Sequence, residues 1–137
     1  MLHVHGLDHL VLRVRDAPRM IDFYTRVLGC RVEKVQVALG LTQLRAGRSL
    51  IDLVDVDGAL GRQGGAPPGP EGRNLDHFCL RVDAFDAPTL RAALLAQGVE
   101  VGEYGQRYGA EGEGPSLYLQ DPEGNVVELK GPPAPSP

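Results

Sequence analysis

The sequence contains no apolar run approaching the roughly 18–20 residues that a membrane-spanning helix needs, and no cluster of lysines or arginines. A helical membrane anchor is therefore not expected, and the electrostatic footprint of a protein that binds nucleic acid or anionic membranes is missing. Fourteen basic against eighteen acidic residues give a formal charge of −4. Cysteine is scarce: only Cys30 and Cys79 occur, and no C-x-x-C motif surrounds either. The opening Met1-Leu2-His3-Val4-His5 lacks the basic stretch and apolar core of a signal peptide. A reducing cytoplasm is the expected compartment and a small molecule the expected partner.

Glycine and proline are in excess, at 18 and 11 of 137 residues. Spread evenly, that load would approach the roughly 25–30% that marks low complexity. Instead it concentrates in three segments, 58–72, 105–115 and 131–137. The sequence outside them is periodic and foldable, and its length suits one compact domain.

That sequence repeats itself. Leu7-Asp8-His9-Leu10-Val11-Leu12-Arg13-Val14 returns as Leu75-Asp76-His77-Phe78-Cys79-Leu80-Arg81-Val82, identical in Leu-Asp-His at its start and Leu-Arg-Val at its end. Each copy leads through a helical stretch to a glycine, Gly29 or Gly98, and closes on an apolar-carboxylate-apolar triplet, Ile51-Asp52-Leu53 or Val127-Glu128-Leu129. The chain reads as module one at 5–57, a linker at 58–73, module two at 74–131 and a disordered tail at 132–137.

Period and punctuation place the elements. Residues 8–15 alternate as a strand. Asp16-Ala17-Pro18 and Asp86-Ala87-Pro88 open helices that run to the two glycines. Three strands follow each helix, at about 31–38, 41–47 and 49–56, then at about 99–104, 116–121 and 125–130, with Asp121-Pro122-Glu123-Gly124-Asn125 as a turn. Each module is predicted to be β-α-β-β-β. The Gly-spaced segment from Tyr104 to Gly114 reads either as a mobile flap carrying Arg107 and Tyr108 or as a flexible connection.

Alternation then sorts the polar residues. Leu10, Leu12 and Val14 fall on the strand face that should meet the helix, leaving His9 and Arg13 opposite, with His77, Cys79 and Arg81 in the equivalent places. Asp52 and Glu128 are flanked by apolar residues in the same way. Neutral imidazole and ionised carboxylate suit Zn²⁺, Ni²⁺, Fe²⁺, Mn²⁺ or Co²⁺. A single strand histidine is more often structural. Its repetition with a carboxylate in both modules is what points to a metal. Cys79 is expected to act as a small apolar residue rather than a thiolate.

These residues, with Ile21-Asp22-Phe23-Tyr24-Thr25-Arg26-Val27-Leu28-Gly29 and Leu117-Tyr118-Leu119-Gln120-Asp121-Pro122-Glu123-Gly124-Asn125-Val126-Val127-Glu128-Leu129, resemble the vicinal oxygen chelate superfamily of glyoxalase I, bleomycin-resistance proteins and extradiol dioxygenases. The resemblance runs from Leu7 to Lys130 and is closest to a small, single-chain, glyoxalase-like or virulence-associated bacterial group. It implies an α+β fold of paired βαβββ modules forming a curved mixed sheet around a cavity, commonly in a homodimer. It also implies a divalent metal held by His9, His77, Glu128 and Asp52, the last one methylene shorter than the family's usual glutamate. The implied activity is that of a glyoxalase-like lyase or isomerase chelating a small vicinal-oxygen substrate, with Glu128, then Asp52, as the proton-accepting carboxylate. The alternatives are an extradiol-type dioxygenase and a metal-free binding protein of the bleomycin type. Arg13 and Arg81 would hold an anionic substrate group or pair with surface acids; Tyr118, Gln120 and Gln43 would line the cavity or pack between strands.

Overall fold

The computed structural model describes residues 1–135 and divides into two compact units, Met1–Gly72 and Arg73–Pro137. In the first, β1 (His9–Val14) leads to α1 (Ala17–Asp22), which passes into a π-helical turn, Phe23–Val27. There follow β2 (Arg31–Gln36), a 3₁₀ turn at Val37–Leu39, β3 (Leu41–Ala46), β4 (Ser49–Asp55) and a second 3₁₀ turn, Gly61–Gly64. The second unit holds β5 (Phe78–Arg81), α2 (Ala87–Ala96), β6 (Val101–Gly109), β7 (Gly112–Gln120) and β8 (Val126–Lys130). No described helix is long and apolar enough to cross a membrane.

Both units have the predicted β-α-β-β-β order and the same sheet topology. Strand order is β1-β4-β3-β2 in one sheet and β5-β8-β7-β6 in the other, with the first pair parallel and the rest antiparallel. The helices start where the sequence places them, because Asp16 accepts a hydrogen bond from the Arg19 amide and Asp86 from that of Thr89, each before a proline in the first turn. They end where Gly29 and Gly98 adopt φ of 76°, a left-handed conformation that costs a residue with a Cβ about 1–2 kcal/mol. The core lies on the helix-facing side of each sheet: Leu12, Val14, Met20, Tyr24, Leu44, Ile51 and Leu53 are buried in the first unit, and Phe78, Leu94, Leu117, Leu119, Val127 and Leu129 in the second.

The segment 104–114 departs from expectation. It is neither a flap nor a loose connection but the end of the β6–β7 hairpin, with Tyr108 opposite Glu113 and Gly109 opposite Gly112. Its glycines provide clearance. A Cβ at Gly105 would come within 3.2 Å of the Arg107 guanidinium, and one at Gly109 within 2.8 Å of Lys130 Cε. Read along the sequence, the spacing of these glycines mimics flexibility; across the strands it makes room for long side chains.

Three further expectations change. The second copy of the repeat forms a shorter strand than its sequence suggests, since β5 begins only at Phe78. The tail start is held: Gly131 donates to the Pro115 carbonyl at 2.9 Å and Ala134 to that of Glu113 at 2.8 Å, while Ser136 and Pro137 lie outside the described residues. The linker is also fastened, by the arginine expected to meet substrate. Arg13 donates from Nε and Nη2 to the Gly61 carbonyl, from Nη2 to that of Gly65 and from Nη1 to that of Ala66.

A comparable fastening positions β8. The Asp121 carboxylate, 4% exposed, accepts from the backbone amides of Glu123 and Asn125 and from the Asn125 side chain. Arg73 ties down the same turn by donating to Asn125 Oδ1 at 3.0 Å and the Glu123 carbonyl at 2.8 Å. Asp121→Ala would orphan those donors, and a loss of about 2–3 kcal/mol in urea unfolding is expected. Arg13→Met should lower stability by about 1.5–3 kcal/mol and make the 61–66 segment more accessible to limited proteolysis, while metal uptake stays at the wild-type level. A stability unchanged from wild type would return Arg13 to a substrate-facing role.

Candidate functional site

Opposite the helix-packed face, each sheet carries the same arrangement of polar side chains. Parallel register places Val11 beside Asp52 and Cys79 beside Glu128, and the next strand adds Gln43 to the first row and Tyr118 to the second. Strand residues in register point to the same side of a sheet, so each row is fixed by pairing. His9 begins β1, whereas His77 immediately precedes β5.

In the first unit His9 Nδ1 lies 2.7 Å from Asp8 Oδ1, and its Nε2 lies 3.9 Å from Asp52 Oδ2. In the second, His77 Nδ1 lies 2.7 Å from Asp76 Oδ2, and its Nε2 lies 3.2 Å from Glu128 Oε1. Both inner carboxylates are buried, at 4% and 6% exposure, while the outer aspartates are open to solvent. The longer reach on the second side is what one extra methylene allows. A carboxylate can only accept, so the Nδ1–H of each ring donates outward and Nε2 is turned to the inner carboxylate. The hydrogen bond to Asp8, with a smaller contribution from the Asp52 charge, raises the pKa of His9.

The inner carboxylates have different neighbours. Gln43 Nε2 donates to Asp52 Oδ2 at 3.2 Å. Tyr118 stands in register beside Glu128, and its pKa rises through loss of hydration and the Glu128 charge. Tyr118 also meets the His77 ring edge-to-face, with centroids 5.4 Å apart, and carries Arg107 over its own face at 4.6 Å. Cys79 is open to solvent on one side, yet packing around its sulfur and the Glu128 charge push its pKa up to about 12. It stays a thiol at neutral pH.

Of the sequence-predicted site residues, the structure brings together His9, Asp52 and Gln43 in the first unit, and His77, Glu128, Tyr118 and Arg81 in the second. The last four share one part of the sheet, and a cavity of about 320 Å³ there is lined by His77, Arg81 and Glu128 among others. Arg81 pairs with Glu111 at 2.8 Å, the surface-acid alternative, while remaining on the cavity wall. Arg13 is committed to backbone carbonyls. Gln120 lines a different, smaller hollow of about 170 Å³. Asp8 and Asp76, adjacent to the histidines in the repeat, were not singled out from sequence; an acid beside each of two equivalent histidines was the available signal.

Among the described residues no three His, Cys, Asp or Glu side chains cluster closely enough to hold an ion. Each unit offers a pair, and the chemistry of each pair suits a divalent cation. An imidazole with a carboxylate on each nitrogen satisfies both either by donating twice or by donating once and coordinating a cation with the other nitrogen.

Comparison with known proteins gives the same reading of the scaffold. The chain is 36% identical over 129 residues to the glyoxalase domain-containing protein RDO1 of Mycosarcoma maydis, covering 93% of this chain and 69% of that one. It is 30% identical over 127 residues to the virulence protein STM3117 of Salmonella typhimurium, covering 92% and 83%. The crystal structure of the latter superposes with a TM-score of 0.72 at 26% identity over 96% of this chain and 99% of that one. The lactoylglutathione lyase of Agrobacterium tumefaciens, at 20% identity, shares the fold with a TM-score of 0.65 over 93% and 94% of the two chains. A family-wide profile, described as the Glyoxalase/Bleomycin resistance protein/Dioxygenase superfamily, matches residues 6–129, and the chain belongs to that superfamily.

Proposed function

We propose that this protein is a metal-dependent enzyme of the glyoxalase type, acting on a small substrate that presents two neighbouring oxygen atoms. His9 with Asp52 in the first unit and His77 with Glu128 in the second are the proposed donor pairs for a divalent ion. The observation that carries this reading is the duplicated order of acid, imidazole and buried acid, Asp8-His9-Asp52 and Asp76-His77-Glu128, with Nδ1 held at 2.7 Å in both. A carboxylate that fixes the ring and tautomer of a ligating histidine is the usual outer partner of such a ligand. When bound, the ion supplies Lewis-acid stabilisation of negative charge developing on substrate oxygen.

The protein's own groups divide the remaining work. Asp8 and Asp76 orient the imidazoles. Gln43 holds the Asp52 carboxylate in one orientation, which favours a fixed, supporting role for the shorter acid. Glu128, on the cavity wall beside Tyr118, is the better placed to take a proton from substrate carbon or oxygen.

Metal analysis of protein purified without chelator tests the reading directly. Bound divalent ion is expected, and its content should fall in His77→Ala and in His9→Ala. Glu128→Gln should lower turnover by about 10²–10⁴-fold, the usual contribution of a positioned general base. Assays of hemithioacetal isomerisation and of aerobic catechol cleavage separate lyase from dioxygenase. If Glu128→Gln retains both metal and full turnover, Glu128 is not the base; if no ion binds and none raises the melting temperature, the protein is a metal-free binder.

A further inference from the structure

Lys130 ends β8 two residues after Glu128 and therefore shares its face of the sheet. Although charged, it is only 6% exposed. Its side chain runs beneath the β6–β7 hairpin through a slot kept open by glycines: a Cβ at Gly109 would come within 2.8 Å of Lys130 Cε, and one at Gly114 within 2.9 Å of Nζ. The ammonium donates to the Gly112 carbonyl at 3.0 Å. Among the described residues it forms no ion pair with a carboxylate, whereas the acids nearby are each engaged: Glu111 by Arg81 at 2.8 Å and Glu128 by His77 at 3.2 Å. A buried ammonium with a single carbonyl partner is costly to desolvate and is met favourably by an anion.

Lys130 and Arg81 are register neighbours on β8 and β5, and both line the cavity of about 320 Å³ that also contains His77 and Glu128. We propose that this cavity seats an oxyanion, the carboxylate or phosphate-type group of a small substrate, with Lys130 as its anchor and Arg81 as its second donor. Guanidinium and ammonium together supply the charge and the directional donors such a group requires. The seat belongs to the second unit alone. Repeat-equivalent positions in the first unit hold Val54, which is buried, and Arg13, which is spent on carbonyls. The inference deepens the proposed function by giving its substrate a negative charge, and it rests on that reading only for the chemistry next door, since the seat itself needs no ion.

Calorimetric titration of the full-length, chelator-treated protein with inorganic phosphate, and separately with malonate, tests it. Binding of one probe with a Kd of about 1 mM or tighter is expected, the tighter probe telling phosphate-type from carboxylate recognition. Lys130→Met should weaken that binding by about tenfold or more and Arg81→Met several-fold, with divalent-metal uptake unchanged in both. Absence of binding by the wild type overturns the proposal, as does wild-type affinity in a folded Lys130→Met protein. Should Lys130→Met fail to fold, wild-type affinity in Arg81→Met, whose side chain is partly exposed, overturns it equally. Phosphate or malonate binding without metal uptake would sink the metal reading and leave the seat standing; metal uptake without anion binding would do the reverse.

Discussion

Each half of this protein is organised around a carboxylate buried on a sheet face. Removing an ionised carboxylate from water is tolerated only where donors or cations surround it, so Asp52 and Glu128 dictate what can stand around them. The parallel pairing of the first strand with the last satisfies that demand. It brings a histidine from the start of the module to the acid near its end, more than forty residues later, without any loop having to reach across. Gln43, on the third strand of the first sheet, supplies a donor to Asp52, and Tyr118 holds the equivalent place beside Glu128. Because these neighbours are set by register, a slip of one residue would turn all of them to the apolar face. The turn built by Asp121 and gripped by Arg73 is thus as much a part of the site as the histidine, since it sets where β8 begins.

The two units preserve this arrangement and diverge in what surrounds it. The row of the acid changes from Val11-Asp52-Gln43 to Cys79-Glu128-Tyr118, and the next row from Arg13-Val54 to Arg81-Lys130. In the first unit every substitution is toward closure: a shorter acid, an amide clamp, a buried valine, an arginine turned to the backbone. In the second they bring a longer acid, a phenol, a thiol that stays protonated and two cations along a cavity. The duplicated scaffold thus keeps one arrangement of histidine and acid in both units while the side chains around it diverge.

Much of this was legible in the sequence because it depends on parity. The repeat of Leu-Asp-His, the alternation that separates His9 and His77 from the core, and the acid flanked by apolar residues all follow from the two-residue period of a strand, and they carried the fold and the histidine-carboxylate pairs. What was not legible depends on partners without a side-chain signature. Arg13 is engaged by main-chain carbonyls about fifty residues away, and carbonyls leave no trace in a sequence. Gly105, Gly109 and Gly114 read as flexibility because their function, clearance for Arg107 and Lys130, exists only once β6 lies against β7. Lys130 carried no signal of its burial, because the slot it fills forms only between strands.

The same distinction explains why superfamily membership narrows the scaffold more than the reaction. Residues that fix the scaffold are constrained from both sides, by the core and by register, and so repeat within one chain. Residues that line a cavity carry no such double constraint, and they differ between the two units of this chain. The proposed chemistry is therefore to be sought around His77 and Glu128, and what selects a ligand in the Arg81–Lys130 row beside them. There Lys130, withdrawn from water, pairs with no carboxylate among the described residues, and an oxyanion entering the cavity would meet its charge as the proposed seat requires.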